Sequence, residues 1–155
     1  MVEAGCCCVL SGAGMVDITA KEPVRREAVA SGFISLKRET VKAIREGRVE
    51  KGDVISVASV AAVLAVKETP RLIPLTHPIP IEKVEPEVRV RDDGVEVRVR
   101  VATTAKTGVE MEALAGVTAA LLTVWDMVKS LEKDETGNYP DTVITGVKVE
   151  VKRKG

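Results

Sequence analysis

The sequence predicts an α+β fold in which helices pack on one face of an antiparallel sheet, with a ferredoxin-like sandwich as the expected architecture. Three observations indicate it. Valines alternate with charged residues over residues 84–101, helix-forming segments lie on both sides of that stretch, and a second alternating segment, 142–152, comes last. Because the chain has 155 residues, one compact domain accounts for its length.

The composition limits the classes of partner. Lys plus Arg and Asp plus Glu are each 23, so the formal net charge is zero. No overall basic field is available to hold nucleic acid or an anionic membrane, and we expect neither as a partner. The N-terminus has no basic region ahead of its apolar stretch. The apolar runs are shorter than the roughly 18 residues that a membrane span needs, so a cytoplasmic protein is expected.

The cysteines are contiguous, at Cys6, Cys7 and Cys8. Structural zinc sites use spaced ligands that converge on one ion, and a disulfide framework needs cysteines elsewhere in the chain. The pattern favours neither. We expect residues 1–14 to form a flexible N-terminal tail and residues 15–155 to form a single domain.

The domain is expected to begin with an extended segment. Residues 17–30 are polar and contain a proline, which predicts an extended arm that holds Arg25 and Arg26. Residues 31–37 then predict a short strand.

Two helices are predicted next. Residues 38–46 form the first, which Gly47 ends, since glycine readily takes the left-handed conformation found after helices. Asp53 is placed to cap the second, which we expect to run to about Glu68 and to end at Pro70.

The middle of the chain predicts a stiff segment and a hairpin. Residues 71–81 contain three prolines and the only histidine, His77, which predicts a rigid, non-helical stretch. Residues 84–101 predict a β-hairpin whose two-residue loop, Asp92-Asp93, keeps every valine on one face. The charged residues that this loop sets opposite each other are Arg89 and Glu96, Glu87 and Arg98, and Glu85 and Arg100.

The longest helix follows the hairpin. Thr107 and Glu110 have the spacing of a capping box and predict its start, and it runs to about Glu132. Apolar residues occupy almost every side, so we expect it to be buried on every side, partly by cover that a partner subunit could supply. Residues 142–152 then predict the last strand.

Charged residues on this apolar helix are candidate functional groups: Glu110, Glu112, Asp126 and Lys129. Two structural explanations remain open, because Glu110 could simply complete the capping box, and Asp126 and Lys129 could form an ordinary i,i+3 ion pair. Glu112 and Asp126 lie on nearly the same stripe, but a helix separates them by roughly 21 Å. If both belong to one site, either the ligand is long or two subunits contribute.

Lys51 and His77 also have both structural and functional explanations. Lys51 could be a solvated surface lysine, and His77 could be a structural histidine with satisfied hydrogen bonds. With one histidine and contiguous cysteines, a metal site of nitrogen and sulfur ligands is not expected. The sequence contains no P-loop, dinucleotide-binding or nucleophile-elbow motif.

Six segments carry a resemblance to a known family. They are MVDIT at 15–19, RREA at 25–28, KGDV at 51–54, LIPLTHPI at 72–79, KTGVEMEAL at 106–114 and LTVWDMVK at 122–129. As a set, and in this order, they resemble the molybdenum cofactor biosynthesis protein C family, the cyclic pyranopterin monophosphate synthases. The resemblance covers the chain from about Met15 to Lys133.

The resemblance implies a fold and a reaction. Members form ferredoxin-like subunits that assemble as homohexamers of three dimers. They are lyases of the phosphorus–oxygen type that convert 3′,8-cyclo-7,8-dihydro-GTP into cyclic pyranopterin monophosphate and release pyrophosphate, a step of molybdopterin synthesis. No required cofactor is implied, although Mg²⁺ could accompany the triphosphate.

By position, the resemblance implies catalytic roles for Asp126, Lys51 and Lys129. Burial or neighbouring cations can lower a lysine pKa, so we expect the two lysines to transfer protons and Asp126 to orient or reprotonate one of them. The residues implied for substrate binding are Leu75, Thr76, His77, Glu110, Met111, Glu112, Arg26, Lys67 and Lys152.

Three features depart from the family pattern. Thr76 stands where the family usually has cysteine, so a thiol is not essential at this position. Residues 135–141 look like an insertion, and the basic C-terminal segment is reduced to residues 152–155. Two alternatives to a synthase are a non-catalytic ferredoxin-like module that binds a nucleotide, and a structural oligomer whose buried charges fix its interface.

Overall fold

The computed structural model describes residues 12–155. Residues 1–11, which include all three cysteines and most of the predicted tail, lie outside the described residues. The elements are β1 (Val24–Ser35), α1 (Arg38–Arg45), α2 (Val54–Leu72), β2 (Lys83–Val90), β3 (Gly94–Ala105), α3 (Glu110–Glu132) and β4 (Val143–Lys154).

The four strands form one antiparallel sheet in the order β2-β3-β1-β4. Helices α1 and α2 connect β1 to β2, and α3 connects β3 to β4, so two β-α-β units interlock. Helices α2 and α3 pack on each other and on the sheet. This is the split β-α-β arrangement of a ferredoxin-like fold, and the predicted fold class is confirmed.

The core lies between the helices and one face of the sheet. The valines of β3, from Val95 to Val101, are fully buried there, as their alternation predicted. Val117, Leu121 and Val124 of α3 are also fully buried. Gly32 of β1 permits this close packing, because a Cβ at that position would lie 2.8 Å from the Cδ1 atom of Leu121.

The β2–β3 hairpin has the predicted register. Its loop is Asp92-Asp93, and the Arg91 N–H donates to the Gly94 C=O across it at 2.8 Å. The opposed residues are Arg89 and Glu96, Glu87 and Arg98, and Glu85 and Arg100.

The ion pairs on the outer face of the sheet extend beyond the hairpin. Arg100 lies 3.6 Å from Glu85, as predicted, and also 2.6 Å from Glu27 of β1. Arg98 reaches past β1 to Glu150 of β4, 2.9 Å away. Because long side chains span neighbouring strands, the charged residues of this face form a network across the whole sheet.

Two predicted boundaries are wrong. Strand β1 runs from Val24 to Ser35, so the second half of the predicted arm belongs to an inner strand, held extended by hydrogen bonds to β3 and β4 on its two sides. Helix α2 contains Pro70 and ends at Leu72. Its last turn closes past the proline because the Ile73 N–H donates to the Thr69 C=O at 2.9 Å.

The predicted capping box at the start of α3 does not form. The helix begins at Glu110, and its N-cap residue, Val109, makes no side-chain capping bond. Thr107 belongs to the loop after β3. The Glu110 side chain instead folds back over Gly108, where a Cβ would lie 1.9 Å from its carboxylate, and it pairs with Lys152 of β4.

Helix α3 is buried on one side only. Leu122 is 56% exposed and Leu131 is 43% exposed, so the expectation of burial on every side is wrong for the single chain. By length and composition alone, α3 is long and apolar enough to cross a membrane, contrary to the expectation from the apolar runs. Half of the most apolar 18-residue stretch of α3 is buried, and it is buried by contacts with α2 and the sheet.

Replacing Gly94 by alanine tests the packing at the start of β3. A Cβ there would lie 1.9 Å from the Ile34 carbonyl oxygen, in backbone that the sheet holds on both sides. We therefore expect Gly94→Ala to lower the free energy of unfolding by about 2–3 kcal/mol, measured by urea denaturation. Gly14→Ala is the matched control, because nothing lies within 4 Å of its Cβ position. Equal unfolding midpoints for the two variants would contradict this packing.

Candidate active site

The three predicted catalytic residues meet at one carboxylate. Lys51 donates to an oxygen of Asp126 at 2.7 Å, and the Lys129 Nζ atom lies 2.9 Å from the other oxygen. The three side chains are between 46% and 55% exposed. Lys51, Asp126 and Lys129, hereafter the lysine–aspartate triad, are thus held together and open to a ligand.

Local structure brings Lys51 to α3. Gly52 has a φ of 106°, which side-chain-bearing residues rarely adopt, and it turns the chain just before α2. Asp53 then caps α2 by accepting hydrogen bonds from two of its first backbone N–H groups, as predicted. Asp126 and Lys129 are three residues apart on α3 and therefore share one of its faces.

The contacts within the triad favour the charged forms of Asp126 and Lys129. Hydrogen bonds from Lys51 and then from Lys129 lower the pKa of Asp126 to about 2. The carboxylate in turn raises the pKa of Lys129. The expected lowering of the lysine pKa is therefore wrong for Lys129 in the single chain. With two lysines around one carboxylate, the triad suits an anionic ligand.

A cavity of about 380 Å³ lies at the other end of α3. The N-terminal segment, the loop before β2 and the first turn of α3 form its walls. Six of the residues predicted for substrate binding line it, and we name it the His77 cavity. Its residues are Leu75, Thr76, His77, Glu110, Met111 and Glu112, together with Val16, Ile18, Lys21, Thr107 and Gly108.

Two carboxyl groups of the His77 cavity have different surroundings. Glu112 is only 3% exposed; burial raises its pKa, and the nearby Glu110 carboxylate acts in the same direction. Glu110 is paired with Lys152 of β4, which brings this predicted substrate contact to the rim of the cavity. The cavity therefore contains one carboxyl group that favours its proton and one that is bound to a cation.

His77 contacts the N-terminal segment. Its Nε2 atom lies 2.7 Å from the Val16 C=O, and because a carbonyl only accepts, Nε2 is the donor of this hydrogen bond. Lys106 holds the same segment by donating to the Thr19 C=O at 2.9 Å. Sequence reasoning missed these N-terminal residues, although the MVDIT segment contains several of them.

The remaining predicted residues lie outside both clusters. Arg26 donates to the C=O groups of Ala105 and Lys106, at 3.4 Å and 3.3 Å, at the end of β3. Lys67 lines a separate cavity of about 430 Å³ with Ile79. Within one chain, the structure therefore does not join Lys67 to the triad or to the His77 cavity.

The two clusters occupy opposite ends of one helix. Helix α3 is continuous from Glu110 to Glu132. Glu112 and Asp126 are 14 positions apart in the sequence, which corresponds to roughly 21 Å along the helix. Within a single chain, the two clusters cannot surround one small ligand.

The fold and these clusters define a ferredoxin-like domain with a cationic triad and a separate cavity that contains a buried carboxyl group. Such a domain is suited to act on a small anionic molecule. Comparison with known proteins gives the particular family. The MoaC family matches residues 15–155, and the chain belongs to that family.

Similar proteins match over most of their length. A protein of Aeropyrum pernix, named probable cyclic pyranopterin monophosphate synthase, is 99% identical over 146 residues, which are 94% of this chain and 100% of that protein. Proteins with the same name are 57% identical in Methanoregula boonei, over 92% of both chains, and 54% identical in Archaeoglobus fulgidus, over 91% of this chain and 90% of that one. The family resemblance predicted from the six segments is confirmed.

Glu112→Gln tests the environment of the buried carboxyl group. Because the pKa of Glu112 is raised in the folded state, the folded protein holds this proton to higher pH than the unfolded chain does, and stability is lost as the pH rises from about 4.5 through the folded pKa. A group whose pKa is one pH unit higher in the folded state than in the unfolded state contributes about 1.4 kcal/mol to this loss.

The measurement is urea unfolding between pH 4 and pH 8. As the pH rises, the wild type should lose stability relative to Glu112→Gln, because the glutamine side chain at this position stays neutral at every pH. Glu135→Gln, at an exposed position, is the control and should follow the wild type. Parallel curves for wild type and Glu112→Gln would contradict the buried environment.

Proposed function

We propose that this chain acts as a cyclic pyranopterin monophosphate synthase in molybdenum cofactor biosynthesis, a lyase of the phosphorus–oxygen type. It converts 3′,8-cyclo-7,8-dihydro-GTP into cyclic pyranopterin monophosphate and releases pyrophosphate. The observation that carries this proposal is the lysine–aspartate triad in a chain 99% identical to a protein named as such a synthase. A non-catalytic nucleotide-binding module is not favoured, because relatives that match over most of the chain carry the synthase name.

The triad supplies cations to the phosphoryl step. In that step the oxygen of a ribose hydroxyl attacks the α-phosphorus, and the hydroxyl proton passes to water. A new phosphorus–oxygen bond closes the cyclic phosphate, and the bond from the α-phosphorus to the bridging oxygen breaks as pyrophosphate leaves with the electron pair. Ammonium groups of Lys51 and Lys129 stabilise the charge that develops on the leaving group and can donate protons. With a pKa of about 2, Asp126 is a weak base, so its role is to hold both ammonium groups in place.

The His77 cavity is suited to the guanine-derived ring. The N–H groups of such a ring donate hydrogen bonds to carboxyl oxygens. Glu112 supplies carboxyl oxygens inside a cavity that Leu75, Thr76 and Met111 also line. Because its pKa is raised, Glu112 is a better candidate than Asp126 for proton exchange during the ring rearrangement. In this proposal Lys152, at the rim, contacts the triphosphate.

We further infer that the two clusters join between subunits, in a homohexamer of three dimers. The distance between the clusters within one chain supports this inference. Exposed apolar side chains on the outer faces of α2 and α3 support it as well: Val60 is 59% exposed, Leu64 57% and Leu122 56%. A second copy related by a two-fold axis would cover them and bring its triad to the neighbouring His77 cavity.

The proposed reaction needs no resident cofactor. Mg²⁺ would enter as the counter-ion of the triphosphate and so belongs to the substrate. Among residues 12–155, no group of three His, Cys, Asp or Glu side chains is arranged to hold a metal ion. The proposal places the reaction in the cytoplasm, with neither nucleic acid nor membrane as a partner.

Turnover of the purified protein tests the function directly. With 3′,8-cyclo-7,8-dihydro-GTP, the cyclic monophosphate and pyrophosphate should form in equal amounts. Lys51→Ala and Lys129→Ala should each lower kcat by about 10²–10⁴-fold, the usual contribution of a positioned proton-transfer group.

Lys42→Ala is the control, since this exposed lysine of α1 pairs with Glu46, the residue that follows the helix. It should keep wild-type turnover. Near-normal turnover of either triad variant would remove that lysine from the mechanism, and absence of product with the wild type would refute the proposed function.

Mixed oligomers test whether subunits share the site. Glu112→Ala and Asp126→Ala should each be inactive alone. Unfolding and refolding them together in equal amounts should leave about a quarter of the sites with neither substitution, and activity should recover to about that fraction.

The control mixture combines Glu112→Ala with the double variant Glu112→Ala/Asp126→Ala, which cannot form an intact shared site. Mass spectrometry confirms that the chains have mixed. Mixed assemblies as inactive as the separate variants would contradict a shared site.

A further inference from the structure

A tight turn connects α3 to β4 and ends at Tyr139. The Asp134 Oδ1 atom accepts hydrogen bonds from the Thr136 N–H at 2.8 Å and the Asn138 N–H at 2.9 Å, and the Asp134 N–H donates to the Asn138 C=O at 2.9 Å. Hydrogen bonds from the Thr136 side chain and then from Asn138 lower the pKa of Asp134, which keeps it charged. Gly137, with a φ of 85°, completes the turn. Few conformations of this backbone remain, so the turn fixes where Tyr139 lies.

The Tyr139 ring packs edge-to-face on Trp125. The ring centroids are 5.5 Å apart and the ring planes are inclined at 73°, a geometry that aromatic pairs favour. The sequence contains one Trp, one Tyr and one Phe, so two of its three aromatic rings lie in this contact. Trp125 directly precedes Asp126 and lies four residues before Lys129, on the same side of α3 as that lysine.

The aromatic pair therefore adjoins the lysine–aspartate triad. The Tyr139 phenol adds to the effect of Asp126 in raising the pKa of Lys129, in agreement with this placement. A lysine side chain has a flexible four-carbon stem, and that of Lys129 is 46% exposed. Asp126 holds its ammonium group, and Trp125 lies about one turn before it on the same side of α3.

We propose that Tyr139 is a positioning residue of the triad. Presented by the Asp134 turn and packed on Trp125, its ring keeps Lys129 in the conformation that pairs with Asp126. Tyr139 acts through Trp125 and Lys129 and does not itself touch the substrate. This role rests on the proposed synthase function, because it concerns the geometry of a residue that the function assigns to catalysis.

Two substitutions distinguish the contribution of the Tyr139 ring from that of its hydroxyl group. Tyr139→Ala should lower kcat by about 10-fold and leave KM within about twofold, because Lys129 is displaced while the His77 cavity is intact. Tyr139→Phe keeps the ring contact and should retain kcat within about twofold. Asp134→Ala/Tyr139→Ala should be no slower than Tyr139→Ala, because the turn acts through the ring.

Fluorescence provides a readout besides activity. Trp125 is the single tryptophan of the chain, so its emission reports on the ring contact. The emission should shift in Tyr139→Ala and remain close to wild type in Tyr139→Phe. Glu135→Ala, an exposed position in the same turn, is the control and should change neither kcat nor emission.

The outcomes separate this role from the synthase function itself. Wild-type kcat in Tyr139→Ala, equal losses in kcat for the Phe and Ala variants, or an unchanged Trp125 emission in Tyr139→Ala would overturn the positioning role. A wild type without turnover would instead refute the proposed function.

Discussion

The packing of α3 on the sheet determines where the candidate site residues lie. Val117, Leu121 and Val124 fill the space above the valine face of β3, and Gly32 lets the helix approach. Because these contacts fix the rotation of the helix about its axis, they also fix its exposed side. A change in rotation by one residue, about 100°, would turn Asp126 away from Lys51.

Burial and ion pairing act in opposite directions on the acids of this helix. Asp126 is exposed beside two ammonium groups, which stabilise its charge and lower its pKa. Glu112 is buried near another carboxylate, and both conditions raise its pKa. One end of α3 therefore holds a permanent anion between cations, and the other holds a group that can change its protonation state. The proposed reaction needs both. The end with the two ammonium groups stabilises charge on the phosphates, and the end with Glu112 exchanges protons with the ring.

Short-range hydrogen bonds position the loops that complete these clusters. Asp53 caps α2 next to Lys51, and Lys106 holds the N-terminal segment against the His77 cavity. Asp134 closes the turn that leads to Tyr139. Loops held in this way on a packed helix and sheet can place functional side chains without being part of the core.

The sequence by itself determined the fold class, the hairpin register and the family. The period-two pattern places every valine of the hairpin on one face in one register only, and the helical rise alone separates Glu112 from Asp126 by roughly 21 Å. Tertiary structure decided which side of α3 is exposed, that the segment around Arg25 is an inner strand, and that Tyr139 meets Trp125. These contacts join residues that lie on different elements or far apart along the chain. Because they depend on how whole elements pack, no local pattern of residues specifies them.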